Sequence, residues 1–409
     1  MEERDRPVPS FTFARGNATT ILSLPAYAFG RVASMFVPRH DGLWVFGCGS
    51  GLAEGALELY RFARDADPSL NLLWLARDRR ELDAARAMGL RAILRSSWRG
   101  FRATLRARVI VVTHGLGDAN RFGTHGGFVV QLWHGIPLKR IQLDSPVTFR
   151  SRFAPARMLK AMYRRRAGTI RFMPAAGEPS ASRLRSAFGL PTERVTVTGD
   201  PRDDVLFRGD EPARAILTEK LGDLGGAGVI LHAPTWRDGD IDPAIPGESE
   251  WRLLADYLDS SDSVLVLRPH PHSVGDYSSG PAASPRIRML TAAAQNDLNA
   301  VLPAIDLLVT DYSSVAYDFA LTGRPIAFLA PDLEDYAASR GLYEPYSVFS
   351  GGSEVRSWTE LLALLADPNA VERLAQHSSS LATTHHAYRD GRNTERVYEE
   401  ILTRLRGQA

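Results

Sequence analysis

Short apolar runs alternate along this chain with stretches in which hydrophobic residues recur every three or four positions. Residues 43–46 form the first such run and pass through Gly47-Cys48-Gly49-Ser50-Gly51 into a helical pattern over 52–63. That order predicts a strand, a glycine turn and a helix. It returns with a strand over 71–75 and a helix over 80–88, then with strands over 92–94, 109–113 and 128–133. A second series starts at 195–197 and continues through 229–232, 264–267, 307–309 and 326–328, each run followed by a polar loop. Strands separated by helices pair in parallel and need helical cover on both faces. The expected fold class is therefore α/β, with two facing Rossmann-like domains built on parallel sheets. The expected division is a first domain over 1–205, a second over 206–385 with glycine-rich 222–228 in an early loop, and a closing segment 386–409. The helix expected over 392–405 in that segment crosses back to the first domain. In such sheets ligands bind in the crevice beyond the carboxyl ends of the strands.

Composition narrows the classes further. With 44% hydrophobic and 23% charged residues in 409, the chain has the balance of a globular protein, which excludes disorder and fibrous repeats. Forty-nine basic against 47 acidic residues leave a net charge of +2, so no nucleic-acid partner is expected. The single cysteine, Cys48, excludes an internal disulfide and a four-cysteine metal site, and it points to a reducing compartment, the cytoplasm. No uninterrupted apolar run reaches the length of a membrane span, and the opening MEERDRPVPS lacks the order of a signal peptide. The nearest approach, 18–38, is broken by Pro25, Gly30 and Arg31. Such a segment suits the surface of a bilayer rather than its interior.

Four polar clusters follow expected strands, and their common placement says more than any one of them. His134 stands just past a buried run and before Gly135 and Pro137, where a turn exposes its imidazole for proton transfer at neutral pH; a structural histidine is an equal alternative on this evidence. In Arg268-Pro269-His270-Pro271-His272 the prolines hold the backbone extended, and Arg268 and His270 suit phosphate oxygens. No carboxylate or cysteine cluster nearby completes a metal set there. Thr310, Asp311, Ser313 and Ser314 mark a junction of strand and helix, where hydroxyls, free N–H groups and the helix dipole favour phosphate, although serine and aspartate also serve as plain caps. Neither a Walker loop nor G-x-G-x-x-G is present. The fourth cluster, Ala233-Pro234-Thr235-Trp236-Arg237-Asp238, offers Arg237 as an anion contact and Trp236 as packing.

A basic stretch runs from Arg150 through Arg152, Arg157, Lys160, Arg164, Arg165, Arg166 and Arg171 without an acidic residue, with Phe153, Met158, Leu159, Met162 and Tyr163 interleaved. As a helix it has an apolar face beside cations suited to anionic headgroups, each contributing on the order of 1 kcal/mol near the surface. A solvated basic helix or an acceptor-phosphate groove accounts for it equally well.

Taken together, Trp133-His-Gly-Ile-Pro-Leu-Lys139, Thr198-Gly-Asp-Pro-Arg-Asp-Asp-Val-Leu206, Ala233 to Asp238, Arg268 to Pro271 and Thr310 to Ala320 resemble the CDP-glycerol glycerophosphotransferase family. The likeness continues through Gly323-Arg-Pro-Ile326, Ala330-Pro-Asp-Leu-Glu-Asp-Tyr336 and Arg340-Gly-Leu342. The resemblance implies a GT-B fold, a CDP-polyol donor (CDP-glycerol or CDP-ribitol), an acceptor that is a lipid-linked saccharide or growing polymer, and a place on the cytoplasmic face of the membrane. It implies His134 as catalytic base near the acceptor, His270 beside the donor diphosphate, and Ser313 and Ser314 at the phosphate. Gly135, Lys139 and Arg202 are the acceptor-side candidates; Arg268, Thr310 and Asp311 join the phosphate site; Arg237, Pro331, Asp332 and Glu334 are candidates for the nucleotide. One segment and two single positions depart from the family's usual residues: Gly49-Ser-Gly51 stands where an Asp-Asn pair is frequent, and His232 and Asp200 each replace a common Tyr. The last two point to an atypical acceptor or polyol. Without a DxD-like pair at a strand end, a divalent ion is not expected to be obligatory. The rivals are a nucleotide-sugar glycosyltransferase of the same fold and a non-catalytic scaffold at the membrane.

Overall fold

The computed structural model describes residues 24–149, 155–237, 240–271 and 273–407. Arg150, Arg152, Phe153, Asp238, His272 and the chain before residue 24 lie outside these. Seven parallel strands build the first sheet: β1 (His40–Phe46), β2 (Asn71–Ala76), β3 (Ala92–Leu94), β4 (Ala107–Val112), β5 (Phe128–Gln131), β6 (Ile170–Ala175) and β7 (Val195–Val197), in the order β3-β2-β1-β4-β5-β6-β7. Five build the second: β8 (Gly228–His232), β9 (Ser263–Leu267), β10 (Ile287–Met289), β11 (Leu307–Thr310) and β12 (Ile326–Phe328), in the order β10-β9-β8-β11-β12. Among the described residues every pairing of these strands is parallel.

The local chemistry explains the elements. Apolar runs such as Val109-Ile110-Val111-Val112 are buried on both faces of the sheet, as a parallel sheet under two helical layers demands. Helix Arg79–Ala87 starts where Asp78 accepts the N–H of Glu81, and helix Trp98–Arg106 where Ser97 accepts that of Gly100. Two strands have no counterpart in the apolar pattern: β6, whose sequence Ile-Arg-Phe-Met-Pro-Ala is interrupted by Arg171 and Pro174, and the three-residue edge strand β10. The basic stretch is accordingly shorter as a helix than its composition suggests. It spans Ala156–Ala167, and Arg171 belongs to β6.

The last helix, Asn393–Arg406, packs its Val397, Tyr398 and Ile401 into the core of the first sheet, with the Tyr398 ring 5.7 Å from that of Trp44. Asp204 anchors its start by accepting the N–H groups of Asn393 (2.9 Å) and Thr394 (2.7 Å). Gly199 makes that approach possible. Its φ is +81°, and a Cβ there would lie 1.9 Å from Asn393 Oδ1. Gly199→Ala is therefore expected to lower stability by about 1–3 kcal/mol in chemical denaturation, through overpacking and a left-handed backbone.

Candidate functional site

The carboxyl ends of the two sheets face each other, and the loops leaving them close on one another. β5 ends at Gln131, whose side-chain amide donates to the Thr113 carbonyl at the end of neighbouring β4. Trp133 then takes φ +66°, a costly conformation for a bulky residue, and is held there by burial and an edge contact with Phe188 at 5.1 Å. The turn delivers His134 into the cleft. Gly135 follows with φ +112°, and Ser314 Oγ of the second domain lies 3.4 Å from where a Cβ on Gly135 would sit. The next residues stitch the domains together: Leu138 accepts from Tyr343 N (2.9 Å), and Arg140 N donates to Gly341 O (3.0 Å). On the other flank, Arg202 Nη2 meets Asp318 (2.8 Å) and Asn299 (3.0 Å).

His134 lies in a field that opposes a positive charge. Burial, then His114, Arg202 and Lys139, hold its pKa well below the ordinary histidine value, so the imidazole is neutral at pH 7. Its Nδ1 is buried without a hydrogen-bond partner among the described residues. His114, at the end of β4, stacks parallel on it, with ring centroids 4.3 Å apart and planes 7° from parallel. Nothing in the local sequence marks His114. The signal was its place after a strand that pairs with β5.

Across the cleft, His270 half emerges after β9 and stacks on Trp236 at 5.8 Å, while the Arg340 guanidinium lies 5.8 Å over the other ring of this stack, that of Trp236. Trp236, expected to serve only as packing, thus stands between the imidazole and a guanidinium that the chain pattern does not single out. Lys139 is sunk between the domains. Burial pushes its pKa down to about 8, with Asp311 opposing and Arg340 and Arg237 adding to the shift. Among the described residues its ammonium makes no ion pair.

Helix Val315–Ala320 has only six residues, too short for the sizeable dipole expected of it, so the hydroxyls of half-buried Ser313 and Ser314 are the groups that junction presents. The Thr310 hydroxyl is buried and donates to Ala233 O at 2.7 Å. Asp311 is buried in an ion pair with Arg237 at 2.9 Å, and burial raises its pKa. Arg237 also holds Asp332 through two bonds of 2.8 and 2.9 Å, and its guanidinium lies near the rings of Tyr312 and Tyr336, at 5.1 and 5.0 Å. This guanidinium is committed to protein groups and braces Asp311 and Asp332. Arg268 is buried too, with Nη1 donating to Leu290 O at 3.1 Å; burial lowers its pKa to about 10. Pro331 is half-buried beside Asp332, and the exposed Glu334 carboxylate pairs with Arg356 at 2.9 Å. His232 is a core ring set edge-on against Trp358 at 4.9 Å.

With this geometry in place, the comparisons with known proteins decide the family. The profile of the family described as CDP-Glycerol:Poly(glycerophosphate) glycerophosphotransferase matches residues 33–403. The chain belongs to this family. It is 32% identical over 225 residues to the teichoic acid ribitol-phosphate polymerase TarK of Staphylococcus aureus (strain NCTC 8325 / PS 47), covering 53% of this chain and 42% of that one. It is 24% identical over 363 residues to the teichoic acid poly(glycerol phosphate) polymerase of Bacillus subtilis (strain 168), covering 84% of this chain and 46% of the relative. The chain thus spans less than half the length of either curated relative. A solved structure of the wall teichoic acid polymerase TagF superposes with a TM-score of 0.76 at 21% identity, covering 96% of this chain and 97% of that chain. The shared fold is the two-sheet GT-B arrangement.

Proposed function

We propose that this glycerophosphotransferase-family chain moves a polyol phosphate, glycerol 3-phosphate, from CDP-glycerol to a hydroxyl of a lipid-linked saccharide or growing polymer. The observation that carries the reading is the meeting of the His134-Gly135 turn with the Ser313-Ser314 turn across the cleft. A base that is neutral at pH 7 and the half-buried hydroxyls of Ser313, which also accepts the Val315 N–H at 3.4 Å, and Ser314 bracket a space there at the carboxyl ends of both sheets. The acceptor oxygen attacks the polyol-bearing phosphorus, its proton passes to His134, and the bond to CMP breaks with the electron pair leaving on CMP. Ser313, Ser314 and His270 hold phosphate oxygens, and the half-buried Lys139 ammonium supplies charge that water screens only in part. The cytosine end lies toward Trp236 and Arg340. A TagF variant soaked with CDPG shares the fold, with a TM-score of 0.78, which supports a CDP-polyol donor for this chain.

Mass spectrometry of the product made from CDP-glycerol or CDP-ribitol and a synthetic lipid-linked disaccharide tests this. Growth of the acceptor by glycerol phosphate with equimolar CMP is expected. A mass increment of ribitol phosphate would change the polyol, and hexose transfer from a nucleotide sugar would overturn the reaction class.

The protein works at an anionic membrane surface in this reading. Among the described residues no helix is long and apolar enough to cross a membrane. The basic helix Ala156–Ala167 exposes Arg157, Arg164, Arg165 and Arg166, but it turns Leu159, Met162 and Tyr163 inward onto Phe149, over whose ring Lys160 lies at 5.5 Å. Its apolar face is therefore used within the protein. Met158 is the one of its large apolar side chains left exposed, whereas helix Leu24–Phe36 groups four exposed ones, with Met35 and Phe36 75% and 78% exposed and Phe29 and Val32 open as well. Burial and then Arg31, Arg39, Arg171 and Arg165 lower the His125 pKa, so these cations lie near that imidazole, Arg39 with its guanidinium turned onto the Thr104 and Gly123 carbonyls. Met35→Asp/Phe36→Asp is expected to weaken sedimentation with phosphatidylglycerol vesicles at least about tenfold, given roughly 1.5–3 kcal/mol per buried large apolar side chain. Unchanged sedimentation would place the contact elsewhere.

A further inference from the structure

Beside His134 lies a second group of donors that the transfer reaction does not use. We propose that Cys48, Glu54 and His114 form a binding site for a thiophilic divalent cation of the zinc class. Cys48 follows β1, Glu54 opens helix Glu54–Ala66, and His114 follows β4; β1 and β4 are neighbours in the sheet, so these loops emerge side by side. One ligand atom from each residue lies within 4.8 Å of the other two. One sulfur, one nitrogen and one oxygen are the donor types of tetrahedral zinc sites, and they are a poor match for magnesium or calcium, which take oxygen ligands.

The surroundings hold each donor in place. Thr113 Oγ1 lies 3.1 Å from Cys48 Sγ and 2.8 Å from His114 Nδ1. Ser50 Oγ donates to Glu54 Oε1 at 2.8 Å and lies 3.3 Å from His114 Nε2. Asp118 Oδ2 accepts the backbone N–H groups of Thr113 (3.0 Å), His114 (2.6 Å) and Gly115 (3.3 Å), which fixes the turn carrying the imidazole. Across the cleft, Asp297 accepts the Glu54 N–H at 3.0 Å. Hydrogen bonds that orient ligands in this way are typical of metal centres, and here they come from the hydroxyls of Thr113 and Ser50 and the carboxylates of Asp118 and Asp297.

Access and charge also suit a cation. His114 is exposed while Cys48 is buried, so a cation enters from the cleft and meets the thiol last. Binding releases the Cys48 proton to solvent. The resulting thiolate and the Glu54 carboxylate carry two negative charges against the cation's two positive ones, and the imidazole stays neutral. The bound cation would tie the 48–54 loop to the end of β4 and hold His114 against His134.

Cobalt(II) titration of the purified chain, without donor or acceptor, tests this independently of any transferase activity. One equivalent is expected to bind with a thiolate-to-cobalt charge-transfer band in the near ultraviolet, to release about one proton, and to be displaced by zinc. Cys48→Ser should abolish the band. Because Cys48 is buried and that variant is at risk of misfolding, His114→Ala and Glu54→Gln serve as second tests, each expected to weaken cobalt binding at least about tenfold, since removing a ligand costs no less than removing the partner that orients it. Absence of a charge-transfer band in the wild-type chain, or cobalt binding unchanged in both His114→Ala and Glu54→Gln, would overturn the site.

Discussion

His134→Ala is expected to slow CMP release from CDP-glycerol by about a hundred- to ten-thousand-fold, the range lost when a positioned general base is removed. The effect should fall on kcat rather than on donor binding, because the groups assigned to the donor phosphates, Ser313, Ser314 and His270, stand on the second domain. The pH profile provides a second readout. Burial and the facing His114, Arg202 and Lys139 hold the His134 pKa well below 6.5. The neutral, proton-accepting form therefore persists as pH falls, and the acidic limb of kcat/KM should lie below the value of an unperturbed histidine. Near-normal turnover in His134→Ala, or an acidic limb at or above 6.5, would remove this residue from the base role.

The second large effect concerns stability. Arg202→Met is expected to destabilise the fold by about 3–5 kcal/mol, the usual cost of stranding one partner of a buried pair. Arg202 crosses from the first domain to Asp318, which is buried and 2.8 Å away, and Asp200 and Asp203 add to the same electrostatic environment. Burial raises the Asp318 carboxyl to about 7 even with Arg202 opposing the shift. Without the guanidinium that pKa climbs further above its unfolded value. A carboxyl shifted in this direction favours the fold when protonated, so the deficit of Arg202→Met should be smaller at pH 5 than at pH 8. Denaturation at both pH values checks the sign. Arg202→Met/Asp318→Asn should recover more than half of the loss, because it removes the stranded charge; a double variant no better than the single one would show that the pair is not the cause.

Much of the architecture was legible because parallel strands under two helical layers must be apolar throughout. Runs such as 92–94 and 326–328 coincide with strands, and most others differ from the observed strand by only a residue or two at an end. β6 escaped because Arg171 and Pro174 break its run, yet it is held by ladder bonds to β5 and β7 that local pattern does not reveal. The candidate site was legible in part for a related reason. Polar residues directly after buried strands, His134 and His270 among them, fall at the sheet edge where such folds bind ligands. The use of each side chain was less legible. Arg237 reads as an anion contact until Asp311 and Asp332 are seen to occupy its guanidinium from elsewhere in the chain.

The order of apolar and polar residues by itself determined two α/β halves, a crevice between them, and a short set of imidazoles and hydroxyls along its edges. Periodicity acts over a few residues, and burial of each strand rewards it locally. Only the tertiary structure decided which edges met: His114 on His134 through the pairing of β4 with β5, Ser314 against Gly135 across the cleft, and Cys48 beside Glu54 and His114. Those meetings depend on strand order and on the closure of one domain upon the other, both set by packing between residues far apart in the chain.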